Sequence, residues 1–261
     1  MARYQIIIAY DGTEFEGFQR QAKARTVQGV VEAALRKIGW QGRSILAAGR
    51  TDTGVHAEGQ VVACDLDWEH PVQELQAALN ANLPGDVAVR QVQHVRADFH
   101  PRYDALARRY RYRIFCDQGR DPLRERYAWR VWPAVALDDL QAVSRKLPGT
   151  HDFTAFGTPP RAGGSTVRTV YQATWQQNEQ DLDFEITANA FLYRMVRRIV
   201  YVLVAVAQGR LDTARVADSL AGSKLEVVQG LALPQGLTLV EVTYPAEILQ
   251  AGWLPTADQS R

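Results

Sequence analysis

Hydrophobic and polar residues follow two periods along the chain, and these periods predict strands and helices in a definite order. Alternating or short apolar runs predict strands at 3–10, 43–48, 59–66 and 87–95. Apolar residues at helical spacing predict helices at 27–38, with Thr26 as N-cap, and at 71–82. The order β-α-β-β-α-β is typical of a ferredoxin-like arrangement, in which helices cover one face of an antiparallel sheet.

The second half of the chain has a similar order of elements without convincing sequence identity to the first. Strands are predicted at 107–115, 126–132, 167–177, 182–188 and 237–243, and helices at 138–147, 191–208 and 212–221. We therefore predict an α+β fold of two ferredoxin-like (RRM-like) halves, with antiparallel sheets, helices on one face and a cleft between the halves. The predicted halves span 1–105 and 106–245, and a tail follows at 246–261.

The amino-acid composition indicates the size of the core and the cellular compartment. The chain has 261 residues, 46% of them hydrophobic, which is enough to bury one large core or two smaller ones. No apolar run reaches the roughly 18 residues of a membrane span, and the first ten residues lack the features of a signal peptide. Cys64 and Cys116 lie in strand-like runs without a partner spacing, which indicates a reducing compartment. We expect a cytoplasmic protein without a membrane anchor.

Charge is nearly balanced overall but strongly segregated along the chain. The formal net charge is +1, which argues against a globally basic nucleic-acid binder. Between Arg96 and Arg130, however, there are ten arginines and only five acidic residues. The planar arginine side chain donates paired hydrogen bonds to phosphates and stacks on bases. Composition leaves both a surface of ion pairs and a local phosphate-binding surface open.

The predicted strand at 107–115 carries its arginines on one face. Because side chains alternate along a strand, Arg109 and Arg111 lie on the face opposite to Tyr110 and Tyr112. The pattern fits a half-buried strand with an arginine-coated back. It also fits an aromatic platform for a base with guanidinium groups beside it for phosphates.

The predicted helix at 191–208 has a second arginine stripe. Arg194, Arg197 and Arg198 share one side of this helix, and a wide apolar stripe occupies the other. Like charges at this spacing repel by a few tenths of a kcal/mol per pair. The stripe therefore indicates nearby anions, either a carboxylate or phosphates, although a solvated face stays open.

Asp52 lies in the short polar stretch GRTDTGVH, 49–56, between two predicted strands. Polar loops held between strands are a usual place for catalytic groups. The tripeptide DTG also occurs in aspartic proteases, but these need two such acids and this chain has one copy. The five histidines lack the spacing of a zinc site, and neither half has a phosphate-binding glycine loop. We predict no metal site and no nucleotide cofactor.

An ordered set of motifs resembles the tRNA pseudouridine synthase A family. The stretch GRTDTGVHA, 49–57, is similar to the signature that carries the family's catalytic aspartate. The other matching segments, in the family's order, are YDGTEFEGFQRQ (10–21), TVQGVVEAAL (26–35), LNANLPGDVAV (79–89), DFHPRYDALARRYRYRIF (98–115), GTHDFTAF (149–156), NAFLYRMVRRIV (189–200) and GLTLVEVTYP (236–245). The resemblance thus spans nearly the whole chain.

The resemblance implies roles for individual residues. Asp52 corresponds to the family's essential aspartate, Tyr110 to its active-site aromatic residue, and Arg197 to the arginine that pairs with the aspartate. Arg50 corresponds to the arginine implicated in RNA contact and base flipping. The further predicted substrate-binding or RNA-binding residues are Asp11, Gln19, Gln21, Arg109, Arg111, Arg161 and Arg198.

The implied reaction is the isomerisation of uridine at positions 38, 39 and 40 of the tRNA anticodon stem-loop, without a cofactor. The bond from uracil N1 to ribose C1′ breaks, the base turns, and C5 takes the place of N1. We predict that Asp52 is the nucleophile; attack on C1′, attack on the base and stabilisation of a positive sugar stay open. The target base must be flipped out of its stack, and Tyr110 is expected to stack on it and to assist removal of the C5 proton. The resemblance also implies a homodimer that binds RNA in the cleft between the halves.

Overall fold

A computed structural model describes residues 1–159, 161, 163–220 and 230–248 of the chain, in ten strands and five α-helices. The strands are β1 (Ala2–Tyr10), β2 (Leu46–Ala47), β3 (His56–Leu66), β4 (Val87–His94), β5 (Ala107–Cys116), β6 (Trp129–Val131), β7 (Gly149–Asp152), β8 (Val167–Asn178), β9 (Asp181–Ala188) and β10 (Leu237–Thr243). The helices are α1 (Val27–Lys37), α2 (Val72–Asn82), α3 (Leu137–Ser144), α4 (Met195–Ala207) and α5 (Thr213–Leu220). Most of the predicted tail lies outside the described residues.

All ten strands belong to a single sheet. Its order is β4-β1-β3-β10-β5-β9-β8-β7, with β2 paired to β3 and β6 paired to β5. Neighbouring strands are antiparallel, except that β10 runs parallel to β3 and β6 runs parallel to β5. The predicted α+β class is confirmed, and the sheets of the two predicted halves are continuous because β10 pairs with both β3 and β5.

The local sequence accounts for most element boundaries. Helix α1 begins after Thr26, whose hydroxyl accepts a hydrogen bond from the Gly29 amide at 3.3 Å, as its N-cap role predicts. Helix α4 begins at Met195, four residues later than predicted, because Arg194 has a left-handed backbone with φ of 64°. Strand β7 was not predicted, since its sequence GTHD lacks an apolar alternation.

Strand β10 also joins the two hydrophobic cores. Leu239 and Val242 pack into the core formed by the first half of the chain. Leu237 packs into the core of the second half, together with Val55 from the first. The predicted boundary between 105 and 106 stays a prediction. Within the described part of the chain, no helix is long and apolar enough to cross a membrane.

Candidate active site

Asp52 lies on the loop between β2 and β3, and buried side chains hold that loop in place. The hydroxyl groups of Tyr10 and Thr51 are 2.8 Å apart in a buried hydrogen bond. The side-chain amide of Gln60 donates to the carbonyl oxygen of Gly49 at 3.2 Å, and the backbone amide of Phe18 donates to the Thr51 carbonyl oxygen at 3.0 Å. The part of the loop that leads to Asp52 is therefore tied to β1, β3 and the segment before α1.

Two glycines of this loop differ in what they require. Gly54 has φ of +76°, a conformation that L side chains rarely adopt, so the turn after Asp52 depends on glycine. Gly49 has no positive φ, and a Cβ atom added there meets nothing within 4 Å. The backbone at this position accommodates other residues.

The three residues that the resemblance makes catalytic lie on distant parts of the sequence, and together with Arg50 they line one open pocket. Asp52 comes from the loop before β3, Tyr110 from β5 and Arg197 from α4, and Arg50 is exposed at the mouth. The space between the walls, its solvent-open mouth included, is about 350 Å³. The other lining residues are Thr51, Val55, Phe191, Arg194, Met195, Val196 and Leu237.

Asp52 and Arg197 form an ion pair inside this pocket. The Arg197 Nη1 atom donates to Asp52 Oδ2 at 2.7 Å, although 145 positions separate the two residues along the chain. Arg197 is 8% exposed, and its Nε donates to the Ala232 carbonyl oxygen at 2.8 Å. The guanidinium group is thus fixed by a backbone acceptor and in turn fixes the carboxylate through a charge-assisted hydrogen bond.

Tyr110 forms an aromatic wall beside this ion pair. Its ring meets that of Phe191 edge to face, with centroids 5.1 Å apart and an interplanar angle of 85°. Burial raises the pKa of the Tyr110 phenol, and the negative charge of Asp52 adds to that increase. The phenol therefore stays protonated at neutral pH.

Sequence reasoning did not assign several residues that build the pocket. Tyr10 holds the loop of Asp52, and Phe191 packs against Tyr110, but both look like ordinary core aromatics in the sequence. Arg194 lines the pocket and stacks over the Tyr193 ring, with its guanidinium carbon 4.8 Å from the ring centroid. The arginine stripe of the second half was the available signal for Arg194.

Asp11 is predicted to bind substrate or RNA, and in the structure its carboxylate is hydrogen-bonded to other side chains of the protein. Its carboxylate accepts hydrogen bonds from the side chains of Thr13, Arg126 and Tyr127 at 2.6, 2.8 and 2.9 Å. Burial raises the pKa of Asp11, but these hydrogen bonds together outweigh burial and hold the pKa well below its usual range. Asp11 is therefore a contact between the two halves of the chain.

The remaining predicted RNA-binding residues do not line the pocket. Gln19, Gln21 and Arg161 are exposed, and Gln21 donates to the carbonyl oxygen of Glu16 at 3.0 Å. Arg198 is half-buried on α4, where burial and then the charge of Arg194 lower its pKa. Their contact with RNA stays a prediction.

Arg109 and Arg111 form ion pairs on the strand face that does not carry Tyr110. Arg109 contacts Glu241 at 3.0 Å and Glu185 at 3.4 Å. Arg111 contacts Glu185 at 3.2 Å and Glu58 at 3.3 Å. Their positive charges are already compensated by carboxylates, which favours the alternative of an arginine-coated strand held by its neighbours.

Comparison with known proteins gives the same family as the motifs. A family model described as "tRNA pseudouridine synthase" matches residues 6–104 and 143–245. The tRNA pseudouridine synthase A of Thermoanaerobacter sp. strain X514 is 38% identical over 244 residues, which cover 94% of this chain and 100% of that protein. The protein of the same name from Geobacillus kaustophilus strain HTA426 is 40% identical over 250 residues, with coverages of 95% and 96%.

Among solved structures, similarity is much weaker. A chain in the crystal structure of the archaeal box H/ACA sRNP Nop10-Cbf5 complex is 11% identical, with 77% of this chain and 43% of that chain covered. The TM-score is 0.37, which is too low to support an inference about function.

The two relatives cover 94% and 95% of the chain, and the family model matches more than half of it. The chain therefore belongs to the tRNA pseudouridine synthase family, as its motifs predict. It is an enzyme of the class that isomerises uridine to pseudouridine.

Proposed function

We propose that this enzyme converts uridine to pseudouridine at positions 38, 39 and 40 of the tRNA anticodon stem-loop, with Asp52 as the nucleophile. The observation that carries the catalytic assignment is the 2.7 Å ion pair between Asp52 and buried Arg197 in a pocket that Tyr110 also lines. The curated relatives support tRNA as the substrate. The choice of positions rests on the resemblance to the tRNA pseudouridine synthase A family.

Asp52 needs no activation by a second base to act as a nucleophile. Its carboxylate attacks an electron-poor carbon of the uridine, either C1′ of the ribose or a carbon of the base, and Arg197 holds it in place. The bond from N1 to C1′ breaks, the uracil turns, and C5 bonds to C1′. The bond to Asp52 breaks again, on the C1′ route as C5 displaces the carboxylate from C1′. C5 loses its proton and N1 takes one up, so the net change is an isomerisation and Asp52 is regenerated. No electron or phosphoryl group is transferred, so we propose that the reaction uses no cofactor.

Tyr110 and Phe191 provide the surface against which the uracil is held while it turns. A base that stacks on an aromatic side chain gains about 1–3 kcal/mol. Because the pKa of Tyr110 is raised, its phenol is neutral and makes hydrogen bonds to the uracil. This favours a supporting role over removal of the C5 proton by a tyrosinate anion alone.

The target uridine reaches Asp52 only when it leaves its stack, so we propose base flipping. Arg50 is exposed at the mouth of the pocket, where its guanidinium can fill the vacated position or bind the displaced phosphate. A homodimer that binds RNA in the cleft between the halves follows from the family resemblance. A cytoplasmic location agrees with a tRNA substrate and with the two free cysteines, Cys64 and Cys116.

Tritium release from tRNA transcripts that contain C5-labelled uridine tests this function. We expect release without any added cofactor, with pseudouridine mapped to positions 38, 39 and 40, and none from a transcript with cytidine at those positions. Product at other positions would contradict the proposed site. Tight, salt-sensitive binding without any release would instead identify a non-catalytic RNA-binding protein.

A further inference from the structure

Three arginines that do not line the pocket lie close to one another near it. Arg102 lies in the segment before β5, Arg108 lies at the start of β5, and Arg168 lies at the start of β8. The Arg108 side chain donates to the Arg102 carbonyl oxygen at 2.6 Å and to the Asn189 carbonyl oxygen at 2.8 Å. Asn189 in turn accepts a hydrogen bond at 3.1 Å from the amide of Thr169, the residue after Arg168. We call these three residues the arginine cluster.

The arginine cluster has only neutral partners in the described part of the chain. Arg108 donates to four backbone carbonyl oxygens, those of Arg102, Asn189, Ala48 and Ala105, and to no carboxylate. Arg168 Nη1 donates to two further carbonyl oxygens, and its buried Nε has no partner among the described residues. Asp104, near Arg102 in sequence, pairs with Arg96 at 2.8 Å.

The charges of the cluster act on one another. Burial lowers the pKa of Arg108 and of Arg168, and the positive charge of Arg102 lowers both further. Arginine stays protonated in proteins, so three positive charges share this region, and no carboxylate among the described residues pairs with them. An oxyanion would relieve that repulsion and would accept hydrogen bonds from the free guanidinium donors.

The cluster adjoins both walls of the pocket. Arg108 donates to the carbonyl oxygen of Ala48 at 3.3 Å, and Ala48 is the first residue of the loop of Asp52. Asn189, which Arg108 also binds, lies two positions before Phe191 in the opposite wall. An anion held here is therefore close to a base that enters the pocket.

We propose that Arg102, Arg108 and Arg168 form a binding site for a backbone phosphate of the substrate RNA, next to the flipped uridine. The assignment rests on the proposed function for the identity of the polyanion. Arg108 holds the surrounding backbone in place through its hydrogen bonds to carbonyl oxygens. The side chains of Arg102 and Arg168 donate hydrogen bonds to the phosphate. Arg109 and Arg111, by contrast, already have glutamate partners.

Binding of a tRNA transcript, measured across a series of salt concentrations, tests the site. We compare the wild-type protein with Arg102→Gln, Arg168→Gln and the double variant. Each lost phosphate contact should weaken binding about 5- to 10-fold near 0.1 M salt and reduce the slope of log K against log salt by about 0.7–0.9.

Arg90→Gln is the matched control because it removes the same charge from an exposed position on the edge strand β4. Strands β4 and β5 are four strand spacings apart, roughly 19 Å at the usual spacing. We expect less than a 2-fold change in affinity for this variant. Arg102 is exposed, so Arg102→Gln keeps the test decisive even where Arg168→Gln lowers thermal stability.

The outcomes separate this site from the proposed activity. Wild-type affinity and salt slope in Arg102→Gln and in a folded Arg168→Gln variant would overturn the phosphate site, whatever the enzyme modifies. If the wild-type protein releases no tritium and the variants still bind tRNA more weakly and with a smaller salt slope, the proposed function is overturned. The phosphate site then stays in place. Equal losses in the cluster variants and in Arg90→Gln would show a general charge effect and overturn the site.

Discussion

At the residue scale, the proposed chemistry depends on the Asp52 carboxylate, which distant residues hold in place. Arg197 fixes Asp52 at 2.7 Å, and the Ala232 carbonyl oxygen fixes Arg197. Tyr10 holds the neighbouring Thr51 through a buried hydrogen bond. Preorganisation of this kind raises the rate because the reacting groups need not be oriented at each turnover. The consequences of removing the carboxylate and of changing its partner are distinct.

Asp52→Asn should bind tRNA but make no pseudouridine. The amide keeps the shape of the side chain but is a far weaker nucleophile, so we expect the rate to fall by about 10³-fold or more, while the dissociation constant changes only a few-fold. Tritium release and filter binding on the same preparation measure the two quantities. Turnover within tenfold of the wild-type rate would remove Asp52 from the nucleophile role.

Arg197→Lys should lower the turnover rate about 10- to 100-fold with a small effect on tRNA affinity. A lysine ammonium is a point charge and cannot bond both the Asp52 carboxylate and the Ala232 carbonyl oxygen in the planar geometry of the guanidinium. Single-turnover kinetics at saturating tRNA measure this effect. Arg90→Lys, at an exposed position on β4, is the control; equal losses in both variants would argue against a specific role of the ion pair.

At the element scale, β1 and the loop before β3 are in direct backbone contact. A Cβ atom added to Gly12 would lie 2.1 Å from the Val55 carbonyl oxygen, so the segment after β1 can approach the end of the Asp52 loop only with glycine. The Gly12 amide also donates to His56 Nδ1 at 2.9 Å, at the start of β3. These contacts set the distance between the segment after β1 and the loop of Asp52.

Gly12→Ala should therefore destabilise the fold and displace the loop of Asp52. The added methyl group meets backbone, which cannot rotate away, and we expect a loss of about 3 kcal/mol in the free energy of unfolding. Urea denaturation measures this loss. Gly85→Ala is the control, because an added Cβ atom there meets nothing within 4 Å. A loss below about 0.5 kcal/mol in Gly12→Ala would show that the segment moves freely.

At the scale of the whole molecule, the two halves are connected by more than the shared sheet. Asp11 at the end of β1 binds Arg126 and Tyr127, which lie more than a hundred positions away along the chain. Within the sheet itself, strand β10 connects the halves by pairing with both β3 and β5. The pocket lies between the halves, so these contacts fix the distance between Asp52 and Arg197.

Asp11→Asn should lower stability at neutral pH and reduce the loss of stability in acid. The pKa of Asp11 is depressed by its donors in the folded state, so its contribution is present above about pH 4 and is lost as the pH falls through the folded pKa. The difference in unfolding free energy between wild type and variant should thus be largest near pH 7 and shrink toward pH 3. Urea denaturation at pH 7, 5, 4 and 3 measures it. Asp67→Asn, whose parent side chain is 79% exposed, should show little difference; a constant difference for Asp11→Asn across this range would contradict the assignment.

The sequence by itself determined the periods of the elements, most of their order along the chain, the family, and Asp52 as the candidate catalytic residue, because these depend on neighbouring residues and on ordered motifs. The pairing of Arg197 with Asp52, which the family resemblance implies, is present in the structure at 2.7 Å. Only the tertiary structure decided that β10 lies between β3 and β5 and that the Ala232 carbonyl oxygen holds the Arg197 side chain. It also decided which arginines are compensated: Arg109 has glutamate partners, whereas the arginine cluster has carbonyl oxygens. The reason is physical, since a local pattern specifies the period of a helix or strand, but the pairing of distant elements depends on how their faces pack and which charges then meet.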